Sequence, residues 1–114
     1  MNKEGDLPVA YIKWYDFTKW LLERVENFPK SQRFVLGARV SDSALEILEL
    51  LGQAAYARKG RILELLETAI LRINGLRWLL RMCRDQNLFS NRQFGHASMQ
   101  MEECGRMVGG WKKQ

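Results

Sequence analysis

The chain has 114 residues, 46% of them hydrophobic, and its 18 Lys and Arg residues against 13 Asp and Glu residues give a net charge of +5. This length predicts a single domain spanning residues 1–114, and the hydrophobic fraction excludes a disordered chain. The first six residues contain no apolar segment of the signal-peptide type, and no run approaches the ~20 apolar residues that cross a bilayer. We therefore expect a soluble intracellular protein, located in the cytoplasm.

The first predicted element is an amphipathic helix over residues 9–28, whose apolar residues recur at helical spacing. Pro29 ends it, because the residue before a proline is pushed out of helical geometry. A second helix is predicted over residues 31–57, with Ser31 as its N-cap candidate and a face with several small residues that lets another helix approach closely. The residues predicted to be buried in these two helices are Ala10, Trp14, Phe17, Leu21, Val25, Phe28, Gly37, Val40, Ala44, Ile47, Leu48, Leu51 and Ala55.

The third helix, predicted over residues 61–87, has the most regular apolar periodicity in the chain. A capping-box sequence at residues 90–93 predicts a fourth helix over residues 91–109, which Gly109-Gly110 is expected to end. The residues predicted to be buried in these two helices are Ile62, Leu66, Ala69, Ile73, Leu76, Leu80, Cys83, Phe94, Ala97, Met101, Cys104 and Val108. Four such helices joined by short loops pack most simply as an all-α, up-down-up-down antiparallel four-helix bundle.

The sequence offers no constellation of catalytic or metal-binding residues. One histidine and two cysteines are too few for a structural zinc site, and no phosphate-binding loop or nucleophile elbow occurs. Cys83 and Cys104 are expected to be buried thiols in a reducing compartment. His96 with Glu102 and Glu103 could form an acid–base group, but a solvated helix face is favoured for them. We expect a protein that binds partners, with no metal, no cofactor and no enzymatic activity.

Arginines are concentrated on the third predicted helix. Arg77, Arg81 and Arg84 follow i, i+4, i+7 spacing and form one ridge at the border of the apolar face. Their planar guanidinium groups suit bidentate binding of phosphate or carboxylate. Two interpretations stay open: the ridge contacts nucleic acid or a protein partner, or it pairs with acids such as Asp85 and Glu102, within the bundle or across an oligomer interface.

Two further basic groups are predicted at the ends of the bundle. In an antiparallel bundle the first and third loops share one end, and the second loop lies at the other. This topology places Lys30, Arg33 and Arg92 at one end, and Arg58, Lys59, Arg61, Lys112 and Lys113 at the other. Two positive ends suit a polyanion, and ordinary solubilising charge is the alternative. Among the aromatic residues, Trp14 and Trp78 fit core or interface positions, whereas Trp20 and Trp111 are expected to be partly exposed.

Three sequence blocks resemble the Avd proteins, the accessory variability determinants of bacterial and phage diversity-generating retroelements. The blocks are Phe28–Phe34 (FPKSQRF), Leu76–Arg81 (LRWLLR) and Gly105–Trp111 (GRMVGGW). The resemblance covers nearly the whole chain, and the second and third blocks are its most specific parts. Avd proteins are in turn similar to four-helix proteins encoded within ribosomal RNA intervening sequences.

The resemblance implies a homopentameric barrel of four-helix protomers with a basic surface. It also implies binding of RNA, of DNA and of the element's reverse transcriptase, which copies a template repeat into mutagenised cDNA that replaces a variable region in a target gene. In that complex the polymerase is the catalyst and the accessory protein is not. Arg77, Arg81 and Arg106 are basic residues inside the matching blocks. The alternative function is a protein-only oligomeric scaffold whose arginines form inter-subunit salt bridges.

Overall fold

The structure is a computed structural model that describes residues 7–114; the polar segment before them lies outside the described residues. Within this range the chain forms four helices and no strand, so the predicted all-α, four-helix fold is confirmed. The helices are α1 (Val9–Glu26), α2 (Lys30–Gln32, Arg33–Gly37 and Ala38–Tyr56, of which the middle segment is π-helical), α3 (Lys59–Asp85) and α4 (Asn91–Lys112). The homopentameric barrel stays a prediction.

The four helices pack as a ring in chain order. α1 and α3 each pack against both α2 and α4, so α1 and α3 occupy opposite corners of the bundle. The bundle measures 43 × 22 × 21 Å. None of the helices within residues 7–114 combines the length and the hydrophobicity that crossing a bilayer requires.

The core consists of the apolar faces that the periodicity predicts. Every residue predicted to be buried on α1 is buried. Among the residues predicted to be buried on the other helices, the half-buried exceptions are Leu48, Ala55, Ile62 and Phe94. The fully buried indole of Trp14 donates a hydrogen bond from Nε1 to the carbonyl oxygen of Ala44 at 2.9 Å, which joins α1 to α2. This bond removes the cost of burying an unpaired indole N–H.

Gly37 allows α2 to approach α1 closely. A Cβ at this position would lie 2.9 Å from Cγ1 of Val25 and 3.4 Å from Cδ2 of Phe28. The first of these distances is a clash, so a larger residue here would require the Val25 side chain or the start of α2 to shift. The small-residue face predicted for α2 is therefore used at this contact.

The ends of α3 and α4 differ in how well local sequence predicts them. The capping box opens α4 as predicted: the Ser90 hydroxyl accepts from the backbone N–H of Gln93, and the Gln93 side-chain oxygen accepts from the backbone N–H of Ser90, both at 3.0 Å. The predicted end at Gly109-Gly110 is wrong, because α4 continues to Lys112. Neither glycine has a positive φ, and the half-buried Trp111 packs on the core beyond them, so tertiary contact extends the helix.

At the other boundaries, α3 begins at Lys59, so Lys59 and Gly60 lie in its first turn rather than in a loop. Asn87, with a φ of 60°, ends the helix in the left-handed region. The backbone N–H of Leu88 then donates to the carbonyl oxygen of Cys83 at 2.8 Å. This turn leads directly into the buried ring of Phe89.

Candidate nucleic-acid interface

The predicted arginine ridge lies on the side of α3 that faces α4. Arg77 and Arg81 line a groove of about 570 Å³ between the two helices. The other lining residues are Asn74, Trp78, Leu80, Phe94, Ser98, Met101 and Glu102. The groove thus has apolar residues along with guanidinium groups and one carboxylate, a setting in which charge interacts more strongly than in open water.

Arg77 is the residue shared by this groove and a second one. It also lines a smaller groove of about 240 Å³ together with Gly105 and Arg106 of α4. One terminal nitrogen of Arg77 lies 3.5 Å from the position that a Cβ on Gly105 would occupy. Arg77 makes no ion pair with any other residue in the range 7–114. Its guanidinium therefore keeps donors available for a ligand phosphate or carboxylate.

Arg81 lies at the rim of the larger groove, beside an exposed aromatic ring. Its guanidinium carbon is 5.4 Å from the ring centroid of Trp78, whose side chain is 68% exposed. The core position predicted as one option for Trp78 is therefore wrong, and the interface position stays a prediction. A cation over an exposed indole can bind a nucleotide by stacking and charge, or serve as the anchor of a protein contact.

Arg84 differs from the other two members of the arginine ridge because it forms an ion pair within the protomer. Its guanidinium carbon is 4.5 Å from the ring centroid of Phe94, and its terminal nitrogen is 3.1 Å from a carboxylate oxygen of Asp85. The side chain is half-buried. Of the two interpretations of the arginine ridge, pairing inside the bundle therefore applies to Arg84.

Arg106 extends the basic groove along α4. It lies 3.5 Å from Glu102, one helical turn away, and both side chains are about two-thirds exposed, at 71% and 66%. Such an exposed pair is weak and is exchanged easily for contact with a more highly charged partner. The structure thus brings Arg77 together with Arg81 on one side and Arg106 on the other.

The first predicted basic end is where the first and third loops meet. The rings of Phe28 and Phe89, one from each loop, have centroids 5.4 Å apart, so the two loops share this end. Arg33 donates a hydrogen bond to the backbone carbonyl of Phe28 at 3.3 Å. Lys30 and Arg92 are exposed here.

The second basic end contains the start of α3 and the end of α4. Lys112 lies 3.6 Å from Glu67 of α3, which places the last turn of α4 beside the first turns of α3. Arg61 pairs with Glu64 at 3.4 Å. The remaining predicted residues of this end, all exposed, are Arg58, Lys59 and Lys113. Both ends are basic, and the α3/α4 groove runs along the bundle between them.

The residues considered for an acid–base group have separate partners. The imidazole of His96 packs on Trp20 with ring centroids 4.8 Å apart. Glu103 forms an ion pair with Lys13 at 3.1 Å, and Glu102 is the partner of Arg106. No group of three potential metal ligands occurs within residues 7–114.

Both cysteines are free and buried, as predicted. Desolvation raises the pKa of the Cys83 thiol to about 11. Desolvation also raises the pKa of the Cys104 thiol to about 11, with a further contribution from the charge of Glu103. A thiol of such high pKa stays protonated near neutral pH and is a poor nucleophile.

The contacts between arginines of α3 and aromatic rings were not predicted from the sequence. The contact between Trp78 and Arg81 has a local signal, because residues three apart on a helix are neighbours. The contact between Arg84 and Phe94 has none, since it joins α3 to α4 and depends on how those helices pack.

Among known protein families, the model of the family described as bAvd-like matches residues 9–114 of this chain. The matched range includes the whole of every helix and all the basic residues considered above. No curated protein matches the chain, and no solved structure does. The family model is matched by sequence, so the match does not depend on the geometry of the α3/α4 groove. It agrees with the three sequence blocks that resemble Avd proteins.

Proposed function

This chain belongs to the bAvd-like family, and from that premise we propose that it is a non-catalytic accessory subunit of a diversity-generating retroelement. It binds RNA, DNA and the element's reverse transcriptase, and it supports mutagenic cDNA synthesis and retrohoming in the cytoplasm. In this proposal the subunit works as a homopentameric barrel. The observation that supports nucleic-acid binding is the α3/α4 groove, where Arg77 lies between Arg81 and Arg106.

The groove suits a phosphate backbone because its positive charge is only partly neutralised, by Glu102. Arg77 has no carboxylate within ion-pair distance among residues 7–114, and Arg106 has only an exposed one. Arginine binds phosphate through two parallel N–H donors, which orients the ligand as well as attracting it. Nearby aromatic rings offer stacking surfaces for unpaired bases.

The basic ends extend the same surface. Lys30 and Arg92 at one end, and Lys59 and Lys113 at the other, are exposed and carry positive charge beyond the groove. A backbone that follows the groove would meet cations at both ends. Because each neutralised phosphate releases counterions, such binding weakens steeply as salt rises.

The test is binding of fluorescently labelled single-stranded RNA and DNA of random sequence, followed by anisotropy at low and moderate salt. We expect the variant Arg77→Gln to bind at least roughly tenfold more weakly, since a lost charge-assisted hydrogen bond is worth about 1.5 kcal/mol or more. Arg72→Gln is the matched control, because Arg72 is on the same helix but is paired with Glu46 at 3.1 Å on the opposite side.

Two results would contradict the proposal. One is undetectable affinity for RNA and DNA at low salt, both with and without the reverse transcriptase. The other is an equal loss of affinity in the Arg72→Gln control, which would mean that net charge rather than the groove determines binding.

The alternative, a protein-only scaffold, is favoured by one observation: Trp78, with Arg81 beside it, is exposed as protein-interface residues are in isolated protomers. Light scattering on an Arg77→Gln/Arg81→Gln variant separates the two functions. An intact oligomer that has lost nucleic-acid binding supports the accessory subunit, whereas loss of the oligomer with no change in nucleic-acid affinity supports the scaffold.

A further inference from the structure

The larger of the two grooves between α3 and α4 has an apolar floor. Leu80 and Met101, each 1% exposed, are the core residues that line it, and Phe94 is half-buried beside them. The groove volume of about 570 Å³ lies within the range of about 300–1,000 Å³ that is typical of pockets for small organic ligands. A flat aromatic group can therefore enter the groove and bury apolar surface there.

The α3 wall of this groove carries an exposed aromatic ring. Trp78 lines the groove although its side chain is 68% exposed. The guanidinium carbon of Arg81 lies 5.4 Å from the ring centroid, so the ring has a cation beside it. Nucleobases stack on protein aromatic rings, and one such stack is worth roughly 5–150-fold in affinity. The ring and its cation together suit a ligand that has an aromatic base and a phosphate.

The α4 wall offers hydrogen-bonding groups to the edge of a base. Ser98 and Glu102 both line the groove, and four positions separate them, so they lie one turn apart on the same face of α4. The Ser98 hydroxyl makes no hydrogen bond with another residue in the range 7–114. Glu102 contacts Arg106 only at 3.5 Å, in an exposed pair. Both groups accept hydrogen bonds, as the donors on the edge of an unpaired base require.

Two arginines are placed to hold the phosphates next to such a base. Arg77 and Arg81 are one helical turn apart, about 6 Å along the axis of α3, and Trp78 comes between them in the sequence. Neither arginine forms an ion pair with another residue of the described part of the chain. Each nucleotide inside a strand has a phosphate on either side of its base. One strand can therefore bind both guanidinium groups while one of its bases stacks on Trp78.

We propose that this groove binds one unpaired nucleotide of an RNA or DNA strand, with its base stacked on Trp78 and its base edge directed at Ser98 and Glu102. Arg77 and Arg81 hold the phosphates on either side of that base. The inference rests on the nucleic-acid binding of the proposed function and adds what the site recognises, which is an exposed base as well as a charged backbone. A duplex keeps its base faces stacked and its base edges paired, so it offers the groove only its phosphates.

The first experiment compares two ligands that differ only in their bases. A labelled single-stranded DNA of mixed sequence and a strand of the same length made of abasic sites carry the same backbone charge. We expect the abasic strand to bind at least about tenfold more weakly in anisotropy titrations, because it has nothing to stack on Trp78. Equal affinity for the two strands overturns the proposal. Affinity for neither strand at low salt overturns the proposed nucleic-acid binding itself.

The second experiment removes the ring from the protein. Trp78→Ala should bind the mixed-sequence strand about tenfold more weakly, and its affinity for the abasic strand and for a blunt-ended duplex should stay within about twofold of the original. Trp78→Phe keeps an aromatic face and should restore most of the lost affinity. Phe34→Ala is the matched control, because Phe34 is also an exposed aromatic residue, at 73%, but lies on α2 and does not line the groove. The control should leave all three affinities unchanged.

The abasic strand and the duplex separate stacking from a structural effect of the substitution. A loss confined to the strand that has unpaired bases supports the proposal. If Trp78→Ala instead lost the same factor for all three ligands, Trp78 would act through the fold or the assembly, and the proposal would be wrong. Circular dichroism and light scattering on the same samples show which of those two had changed.

Discussion

The two flanks of α3 have opposite chemistry although they belong to one helix. The flank towards α4 carries Arg77 without an ion-pair partner among residues 7–114, beside a groove. The flank towards α2 carries Arg72, which forms an ion pair with Glu46 at 3.1 Å, and next to it the exposed apolar side chains of Leu71 and Met82. Two arginines five positions apart thus differ because of the helix that each one faces. A count of basic residues overstates the charge available to a polyanion, and the packing decides which charges remain free.

The largest expected effect comes from a cavity in the buried face of α3, which lies between the two flanks. Ile73, 1% exposed, lies at its centre. Ile73→Ala should lower the free energy of unfolding by about 2–5 kcal/mol, because it leaves a cavity between the helices. Chemical denaturation measures this change, and both nucleic-acid binding and self-association should weaken together. If only one of them weakened, the two flanks would not depend on a common core.

A second prediction concerns the thiol beneath both flanks. The pKa of Cys83 is raised to about 11 by burial, above its ordinary value of 9.0. The unfolded chain loses this proton first, so the stabilisation is fully present below pH 9 and declines as pH rises towards 11, by up to about 2–3 kcal/mol. Denaturation at pH 8 and pH 10 measures the decline, which should be smaller in Cys83→Ala. An equal decline in that variant would assign it to other groups.

The charge contrast between the flanks predicts different salt dependence. Removing one phosphate contact to a single strand should reduce the slope of log affinity against log salt by about 0.7. We expect this reduction for Arg77→Gln and an unchanged slope for Arg72→Gln, measured by anisotropy titrations at several salt concentrations. Equal slopes in the two variants would mean that the pairing with Glu46 does not withdraw Arg72 from the ligand.

The smallest expected effects come from helical glycines on the two flanks. A Cβ on Gly105 makes ordinary contact with Arg77, and one on Gly75 meets open space. Gly105→Ala and Gly75→Ala should each raise the free energy of unfolding by about 0.5–1 kcal/mol, because alanine loses less conformational entropy in a helix. The difference lies in binding: only Gly105→Ala, whose Cβ contacts Arg77, should change the affinity for nucleic acid. Anisotropy titrations with single-stranded RNA distinguish the two variants.

Periodicity predicted the core well because a buried helix face is a local property of sequence. Trp14, Ile47 and Leu80 were all expected inside, and each is at most 1% exposed. The capping box was equally predictable, since both of its hydrogen bonds connect residues three apart. The end of α4 was not predictable in this way. The local sequence Gly109-Gly110 predicts a helix end, but Trp111 packs on the bundle and the helix continues to Lys112.

The candidate site was predictable only in part, because contacts between helices are not encoded in the sequence of one helix. Spacing along one helix placed Arg77, Arg81 and Arg84 on a common ridge, and the structure has them on one side of α3. Their availability depends on residues of other elements: Phe94 of α4 covers Arg84, whereas the nearest part of α4 to Arg77 includes a glycine. No pattern in the sequence of α3 contains that information.

The hydrogen bond of Trp14 to Ala44 has a consequence for how the helices slide. Smooth apolar faces can shift along each other by a helical turn, about 5.4 Å, with little change in buried area. A shifted α1 would leave a buried indole N–H unpaired, so this one polar contact selects a single axial alignment of α1 and α2. Ala44 and Glu46 are on the same helix, so the bond that aligns α1 also sets the height of the α2 carboxylates relative to α1. A core tryptophan thereby tunes the position of surface charges that it never touches.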